Sequence, residues 1–202
     1  MTGFADCQPD AAILGRARQG DMKAHEVLYA SYGRSVYTLA VRMLGDRAMA
    51  EEVLQDTSIE VIRHVTSFRD DLAFGGWVKR IATNKCLAHL RSAWYRKVQS
   101  LEPADDEQGG AFEPAGPDDP AASVSHGKSL ERALGALSPT ARAVVWLYDA
   151  EGYSHQEIAA LMGRTVSFSK SQLSRAHERL RELLADEDDD EVDACTRQPN
   201  NC

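Results

Sequence analysis

The spacing of apolar residues constrains this chain most, because it repeats with the period of a helix and nowhere convincingly with that of a strand. Val36, Leu39, Ala40, Met43 and Leu44 follow the i, i+3, i+4, i+7 pattern, and Gly45-Asp46 stops the run. Asp10 caps an earlier helix carrying Ile13, Leu14 and Ala17, which closes at Gly20, and Asp21 caps the next. A long helix carries Ala50, Val53, Leu54, Val61 and Val65. After a break near Phe68 to Gly76, another begins near Trp77 and runs to about Lys97. Further on, Leu130, Ala133, Leu134 and Leu137 share one helix face. Ser138-Pro139 starts the following helix, a capping hydroxyl before proline at the first helical position. Its inward residues are expected to be Ala141, Val144, Val145 and Tyr148, with Gly152 as its end. The expected fold class is all-α.

The stretch from Leu101 to His126 interrupts this pattern. It is rich in Pro, Gly and Ala and has no apolar period, so it reads as a flexible linker. The expected organisation is a helical domain over 9–100, an acidic linker over 101–126, a second helical domain over 127–184, and an acidic, disordered tail over 185–202.

The net charge of −8 argues at first against nucleic acid. Its distribution reverses that. Of 31 acids, seven lie between Leu101 and His126, where there is no Lys or Arg, and seven more between Asp186 and Asp193. That leaves 17 acids against 22 Lys and Arg outside the tail's Arg197, so the remaining body is basic by about +5. No leader or transmembrane stretch is visible, and a cytoplasmic location is expected. Four cysteines (Cys7, Cys86, Cys195, Cys202) are expected to be reduced there. The last two lack zinc-knuckle spacing and read as idle thiols, with a metal- or redox-sensing tail as the sharper alternative.

Three motifs carry chemistry. The first is a helix-turn-helix. Ser154-His155-Gln156-Glu157 is a capping box opening a short helix with Ile158, Leu161 and Met162 inside. Gly163 supplies the turn. A second helix from about Ser167 has an apolar stripe of Leu173, Ala176, Leu180 and Leu183. Its N-terminal end offers Ser167, Phe168, Ser169, Lys170, Ser171 and Gln172, followed by Arg175 and Arg179. Hydroxyls, an amide and cations there suit base edges and phosphates in a major groove. A helical hairpin with a solvated basic face is the plainer reading.

The second motif is Trp77 to Lys97, with six Lys or Arg and no acid. Arg80, Asn84 and Arg91 share a helix face, Trp77 lies one turn earlier, and Lys79 is nearby. Val78, Ile81, Ala82 and Cys86 form the opposite stripe. Lys85 falls toward that apolar side, so its stem is expected to snorkel. Cations that track a backbone beside an aromatic suit single-stranded DNA, whereas Trp77 alone reads equally as a core tryptophan. The third motif is Glu51, Glu52, Gln55 and Asp56, an acidic patch that reads as a solvated face or as a protein-binding surface. No catalytic constellation, metal-ligand spacing or phosphate loop is visible, so no enzyme activity, cofactor or metal is expected.

These residues resemble those of the extracytoplasmic-function sigma factors, the minimal two-domain group (group 4) of the main bacterial sigma factor family, from Asp10 to Leu184. Gln19-Gly20-Asp21-Met22-Lys23-Ala24 resembles the opening of their region 2. Ala50 to Thr57 is similar to the segment that docks on core RNA polymerase, which makes Glu51, Glu52, Gln55 and Asp56 polymerase-binding residues by implication. Ser67-Phe68-Arg69 and Trp77 to Asn84 resemble the segment that melts and reads the minus-10 element. The resemblance implies minus-10 contacts for Phe68, Arg69, Trp77, Lys79, Arg80, Asn84 and Arg91. Leu137-Ser138-Pro139, Tyr153 to Ala159 and Arg175 to Leu184 match region 4, which reads the minus-35 element. Departures lie at Ser167-Phe168-Ser169, where Gly-Thr-Val is usual, and at Gln172, where an arginine is usual. Ser169 falls at a normally buried aliphatic position, and Phe168 is expected to supply that packing instead.

The partners so implied are core RNA polymerase, promoter DNA and an anti-sigma factor or other regulator, with no membrane insertion. Phosphorylation near Thr57 or Ser58 is another way to change charge beside the docking patch. The acidic linker and tail are expected to oppose DNA binding. A helix-turn-helix regulator that acts without polymerase, and a metal or redox sensor using Cys86 or the tail cysteines, are the rival readings.

Overall fold

The computed structural model describes residues 4, 7–69, 73–99 and 125–196. Among them every regular element is helical: α1 (Ala11–Arg18), α2 (Met22–Leu44), α3 (Arg47–His64), α4 (Phe74–Gln99), α5 (Ser125–Gly135), α6 (Pro139–Val145), a π-helical turn (Trp146–Ala150), α7 (His155–Met162) and α8 (Val166–Thr196). Tertiary contacts divide the chain between Ala104 and Asp105. Most of the expected linker lies outside the described residues.

In the N-terminal unit, α2 packs against α1, α3 and α4, and α3 packs against α4. The caps are those the sequence implies. Asp10 accepts from the Ala12 N–H, Asp21 from those of Lys23 and Ala24, and Asp46 from that of Met49. Gly45 ends α2 at a φ of 71°, where glycine has no side chain to strain. Leu14, Leu28, Val36, Leu39, Met43, Val53, Val78, Ala82 and Cys86 are wholly or almost wholly withdrawn from solvent. Each large apolar side chain among them contributes about 1.5–3 kcal/mol by burial.

Helix α4 starts at Phe74, three residues before the position its periodicity implies, and includes Gly75 and Gly76. The cause is tertiary. Phe74 is fully buried and meets Tyr32 of α2 at 6.4 Å, Phe68 at 5.9 Å and Trp77 at 5.8 Å between ring centroids. That anchor offsets the roughly 0.5–1 kcal/mol that each glycine costs a helix relative to alanine. The packed residues also begin earlier than residue 9: Phe4 and Cys7 are both buried.

In the C-terminal unit α8 packs against α5, α6 and α7. Ser138 caps α6 through the Ala141 N–H, with Pro139 at the first turn. Ala141, Val144 and Val145 are buried as expected, but Tyr148 is exposed. The π-helical turn accounts for this. The Glu151 N–H bonds back five residues to the Trp146 carbonyl at 3.1 Å, which unwinds the helix and carries residue 148 off the inward face. Fully buried Leu147 packs inward instead. Arg142 is also buried, and burial pushes its guanidinium pKa down to about 10.

Helix α8 runs to Thr196, which corrects the expectation of disorder immediately after Leu184. No Gly or Pro occurs between Gly163 and Pro199 to stop it.

Cys86 is fully buried, and burial pushes its thiol up to about 12. A thiol so placed has no access to a metal or an oxidant. Between the ordinary thiol range near 9 and about 12 the unfolded chain loses this proton and the folded chain keeps it. Stability therefore falls as pH rises through that window. In urea titrations at a series of alkaline pH values, Cys86→Ala is expected to show a shallower decline than the unaltered chain. Parallel declines would refute the assignment.

Candidate nucleic-acid and protein interfaces

Helix α3 buries Ala50, Val53, Thr57 and Val61 and turns Glu51, Glu52, Gln55 and Asp56 outward. All four expected patch residues are exposed on one short stretch. The snorkelling expected of Lys85 takes a specific form: its Nζ lies 3.5 Å from Asp56 Oδ2, a half-buried cation against an exposed acid. Asp56 is thus shared between the acidic patch and the basic helix. Two residues of this surface escaped the sequence reading. Ile59 and Ile62 are each 45% exposed and continue the outward stripe from Glu52 and Gln55 at i+3 and i+4 spacing. The signal was there: the core period takes Val61 and Val65 and leaves these two isoleucines off it. Thr57 is fully buried, so the hydroxyl considered for phosphorylation has no access. Ser58 donates to the Leu54 carbonyl at 2.7 Å.

Helix α4 presents Arg80, Asn84 and Arg91 outward, with Lys79 half-buried. Val78, Ala82 and Cys86 form the inner face as expected, joined by Leu87 and Thr83, while Ile81, also expected there, is only half-buried. Trp77 fits neither simple reading. It is half-buried, and Phe68 stacks on its indole at 4.7 Å and 17°. The structure therefore brings the two expected aromatics together as one stacked pair at the start of the basic helix, with Arg69 exposed beside it. The Phe68 carbonyl accepts from Arg18 Nη2 at 2.8 Å, which ties this segment to α1.

The caps and turn of the helix-turn-helix are those its sequence implies, with Ile158 buried, while Leu161 and Met162, expected inside, are only half-buried. Ser154 Oγ accepts from the Glu157 N–H at 3.3 Å, and Glu157 Oε2 accepts from the Ser154 N–H at 2.8 Å. Gly163 turns the chain at a φ of 64°. Thr165 Oγ1 then accepts from the Phe168 N–H at 3.1 Å, opening α8. Ser167, Lys170, Ser171, Arg175 and Arg179 are exposed, and Phe168 and Gln172 are half-buried. Arg179 also pairs with Glu182 at 2.9 Å.

Ser169 departs from its expected role. It is fully buried, and its Oγ lies 3.0 Å from His155 Nδ1, so it faces α7 and cannot reach a base edge. Nor does Phe168 fill the missing aliphatic position: its ring lies under the Arg164 guanidinium at 5.5 Å. A part-buried hydrogen bond stands at this join in place of an apolar contact. Tyr148 stacks on the same His155 at 4.5 Å and 22°, and His177 of α8 meets Asp149 at 2.7 Å. Sequence spacing gives no sign of either histidine's partner.

Residues 28–96 match the family model for Sigma-70 region 2, and residues 127–180 match that for Sigma-70 region 4. The chain is 33% identical over 175 residues to the ECF RNA polymerase sigma factor SigM of Mycobacterium tuberculosis, covering 87% of this chain and 84% of SigM. The chain belongs to the extracytoplasmic-function sigma factors. It is also 31% identical to the ECF RNA polymerase sigma-E factor of Escherichia coli K12, covering 85% and 92% of the two chains. With SigE of Mycolicibacterium smegmatis it shares 34% identity over 83% of its length but spans only 64% of that relative. Among solved structures it is similar to the sigma factor RpoE of Bartonella quintana in complex with the anti-sigma factor NepR. That likeness has a TM-score of 0.52 at 26% identity and covers 79% of this chain and 96% of RpoE. In this family member no described helix is long and apolar enough to cross a membrane. No group of three or more His, Cys, Asp or Glu among the described residues is arranged to hold a metal.

The His155–Ser169 bond is checked by substitution. Ser169→Ala removes the partner of the half-buried His155 ring at the join of α7 and α8 and is expected to cost about 0.5–1.5 kcal/mol of stability. A chemical melt within 0.3 kcal/mol of the unaltered chain, about the limit of such comparisons, would mean that water replaces the hydroxyl without loss.

Proposed function

We infer that this chain binds core RNA polymerase and directs it to promoters, recognising minus-10 and minus-35 elements, while the polymerase performs the chemistry. The observation that carries this is the occurrence, in one chain, of both sigma regions, each with its charged surface turned to solvent. The chain itself is a specificity factor and not an enzyme, and it works in the cytoplasm with the genome.

The division of labour follows the organisation expected from the sequence: 9–100 for polymerase and minus-10 DNA, 101–126 as linker, 127–184 for minus-35 DNA. Phe4 and Cys7 join the first of these. Exposed Glu51, Glu52, Gln55 and Asp56 meet polymerase. Arg80 and Arg91 follow the phosphates of the opening strand, with Asn84 between them. The Phe68–Trp77 pair takes a base, and each aromatic stack contributes about 1–3 kcal/mol. At minus-35, the first turns of α8 enter the major groove. There Ser167, Lys170, Ser171 and Gln172 reach bases and phosphates, and Arg175 and Arg179 neutralise phosphates. RpoE, whose complex with NepR is the solved relative, supports an anti-sigma factor as a further partner.

Two variants separate the surfaces. Replacing Glu51 and Glu52 together by Lys is expected to weaken core binding by about tenfold or more, because like charges then face the partner. The helical signal should be unchanged. Trp77→Ala is expected to keep core affinity and to lose promoter opening. Loss of neither function in either variant would overturn the assignment.

The helical course of α8 changes what the tail can do. At about 1.5 Å per residue, the seven residues from Arg179 to Asp186 put the start of the acidic run roughly 10 Å along the helix from the last phosphate-contacting cation. That is beyond a Debye length of about 8 Å at physiological salt and within one of about 30 Å at 0.01 M. Removing residues 185–202 should therefore raise DNA affinity at low salt and raise it far less at physiological salt. A gain as large at physiological salt as at low salt would contradict the rigid-helix account.

A further inference from the structure

The first turn of α4 is held from behind by backbone that lies before α1. A Cβ built on Gly75 would stand 2.0 Å from the Phe4 carbonyl oxygen and 3.0 Å from that of Cys7. No side chain fits there, and the obstacles are backbone atoms that cannot swing aside. The segment is fixed at several points. The Cys7 N–H donates to the Phe4 carbonyl at 3.2 Å. Phe4 and Cys7 are buried. Cys7 Sγ lies 3.4 Å from Ser31 Oγ of α2, and Ser31 in turn donates to the Leu28 carbonyl at 2.7 Å.

Gly75 and Trp77 are two residues apart on a helix, so they lie on nearly opposite sides of the same turn. Gly75 receives the N-terminal segment, and Trp77 carries the stack with Phe68. Between them Gly76 is exposed and has nothing within 4 Å of where a Cβ would lie.

We propose that Phe4 and Cys7 are positioning residues for the minus-10 surface: their carbonyls, packed against Gly75, set the first turn of α4 and with it the Phe68–Trp77 pair that meets the opened strand. The proposal rests on the sigma-factor reading above. Base capture depends on placement to within about an ångström, and an error of that size costs as much as a hundredfold in rate. The segment touches no DNA in this account and acts only through α4.

Gly75→Ala and Gly76→Ala form a matched pair. Both place the better helix former in the same turn, so a difference between them reports the contact with Phe4 and Cys7 and not helix propensity. A variant lacking residues 2–8 removes the contact without a clash and guards against a Gly75→Ala chain that fails to fold. Each full-length or shortened chain is assembled with core polymerase. The readouts are core affinity by fluorescence anisotropy and the rate of strand opening, read from 2-aminopurine in the minus-10 region of a promoter that the unaltered holoenzyme opens. Gly75→Ala and the shortened chain are expected to slow opening by about tenfold or more with core affinity within twofold, and Gly76→Ala to match the unaltered chain. A double variant that is shortened and carries Gly75→Ala should be no slower than the shortened chain alone, because the clash partner is gone. Opening at the unaltered rate in both Gly75→Ala and the shortened chain would overturn the proposal. So would a parallel loss of core affinity, which would make the segment a general support of the unit. If the unaltered chain binds core yet opens no promoter, the sigma-factor reading itself falls, and this proposal with it.

Discussion

Phe74 is the first residue of α4, and its ring is fully enclosed. It touches Tyr32 from α2, Phe68 from the segment after α3 and Trp77 one turn along. Three parts of the N-terminal unit thus meet at one ring. This contact decides where α4 begins, against the preference of two glycines, and so where the basic face of that helix starts. Without it, Arg80, Asn84 and Arg91 would still share a face, but the stacked pair of Phe68 and Trp77 would have no fixed relation to them. The Arg18 bond to the Phe68 carbonyl and the N-terminal backbone against Gly75 brace the same point from two other directions.

The C-terminal unit has a different kind of join. Its helix-turn-helix is held by local rules at every boundary: a reciprocal capping box, a left-handed glycine, and a threonine cap on α8. Beside the buried apolar residues Ile158 and Ala159 of α7 and Leu173, Ala176 and Leu180 of α8, one polar contact couples the two helices, His155 against buried Ser169. Such a bond is directional where an aliphatic contact is not, and it adds to the buried stripe of Leu173, Ala176 and Leu180 in setting which residues of α8 face outward. Ser167, Lys170 and Ser171 are outward because Ser169 is inward. Arg142, buried yet still charged at neutral pH given a pKa near 10, and buried Glu131 are further polar elements among the apolar residues of this unit.

Much of this was legible in the residues. Aspartate and serine caps, the glycine stops and the helical period located nearly every helix, because these are local effects with local signatures. The charged surfaces were legible for the same reason: Glu51, Glu52, Gln55, Asp56, Arg80, Asn84 and Arg91 are off the core period and are found exposed. Long-range contacts were not legible. The start of α4 depends on Tyr32, about forty residues away, and the burial of Phe4 and Cys7 depends on Gly75. The exposure of Tyr148 depends on a π-helical turn that no residue type announces. Ser169 was expected at the DNA because its neighbours are there, and the partner that turns it inward, His155, sits fourteen residues earlier. The tail was expected to be disordered from its acidity, yet the backbone continues as helix where nothing breaks it.

The measurement that reaches the central claim most directly is run-off transcription of fragmented genomic DNA by purified core polymerase, with and without this chain. The account predicts discrete new transcripts that appear only when the chain is present. Their start sites should lie downstream of a shared pair of elements spaced for minus-10 and minus-35 recognition. Transcripts that do not depend on the chain, or a chain that binds core and yields none on any fragment, would contradict it.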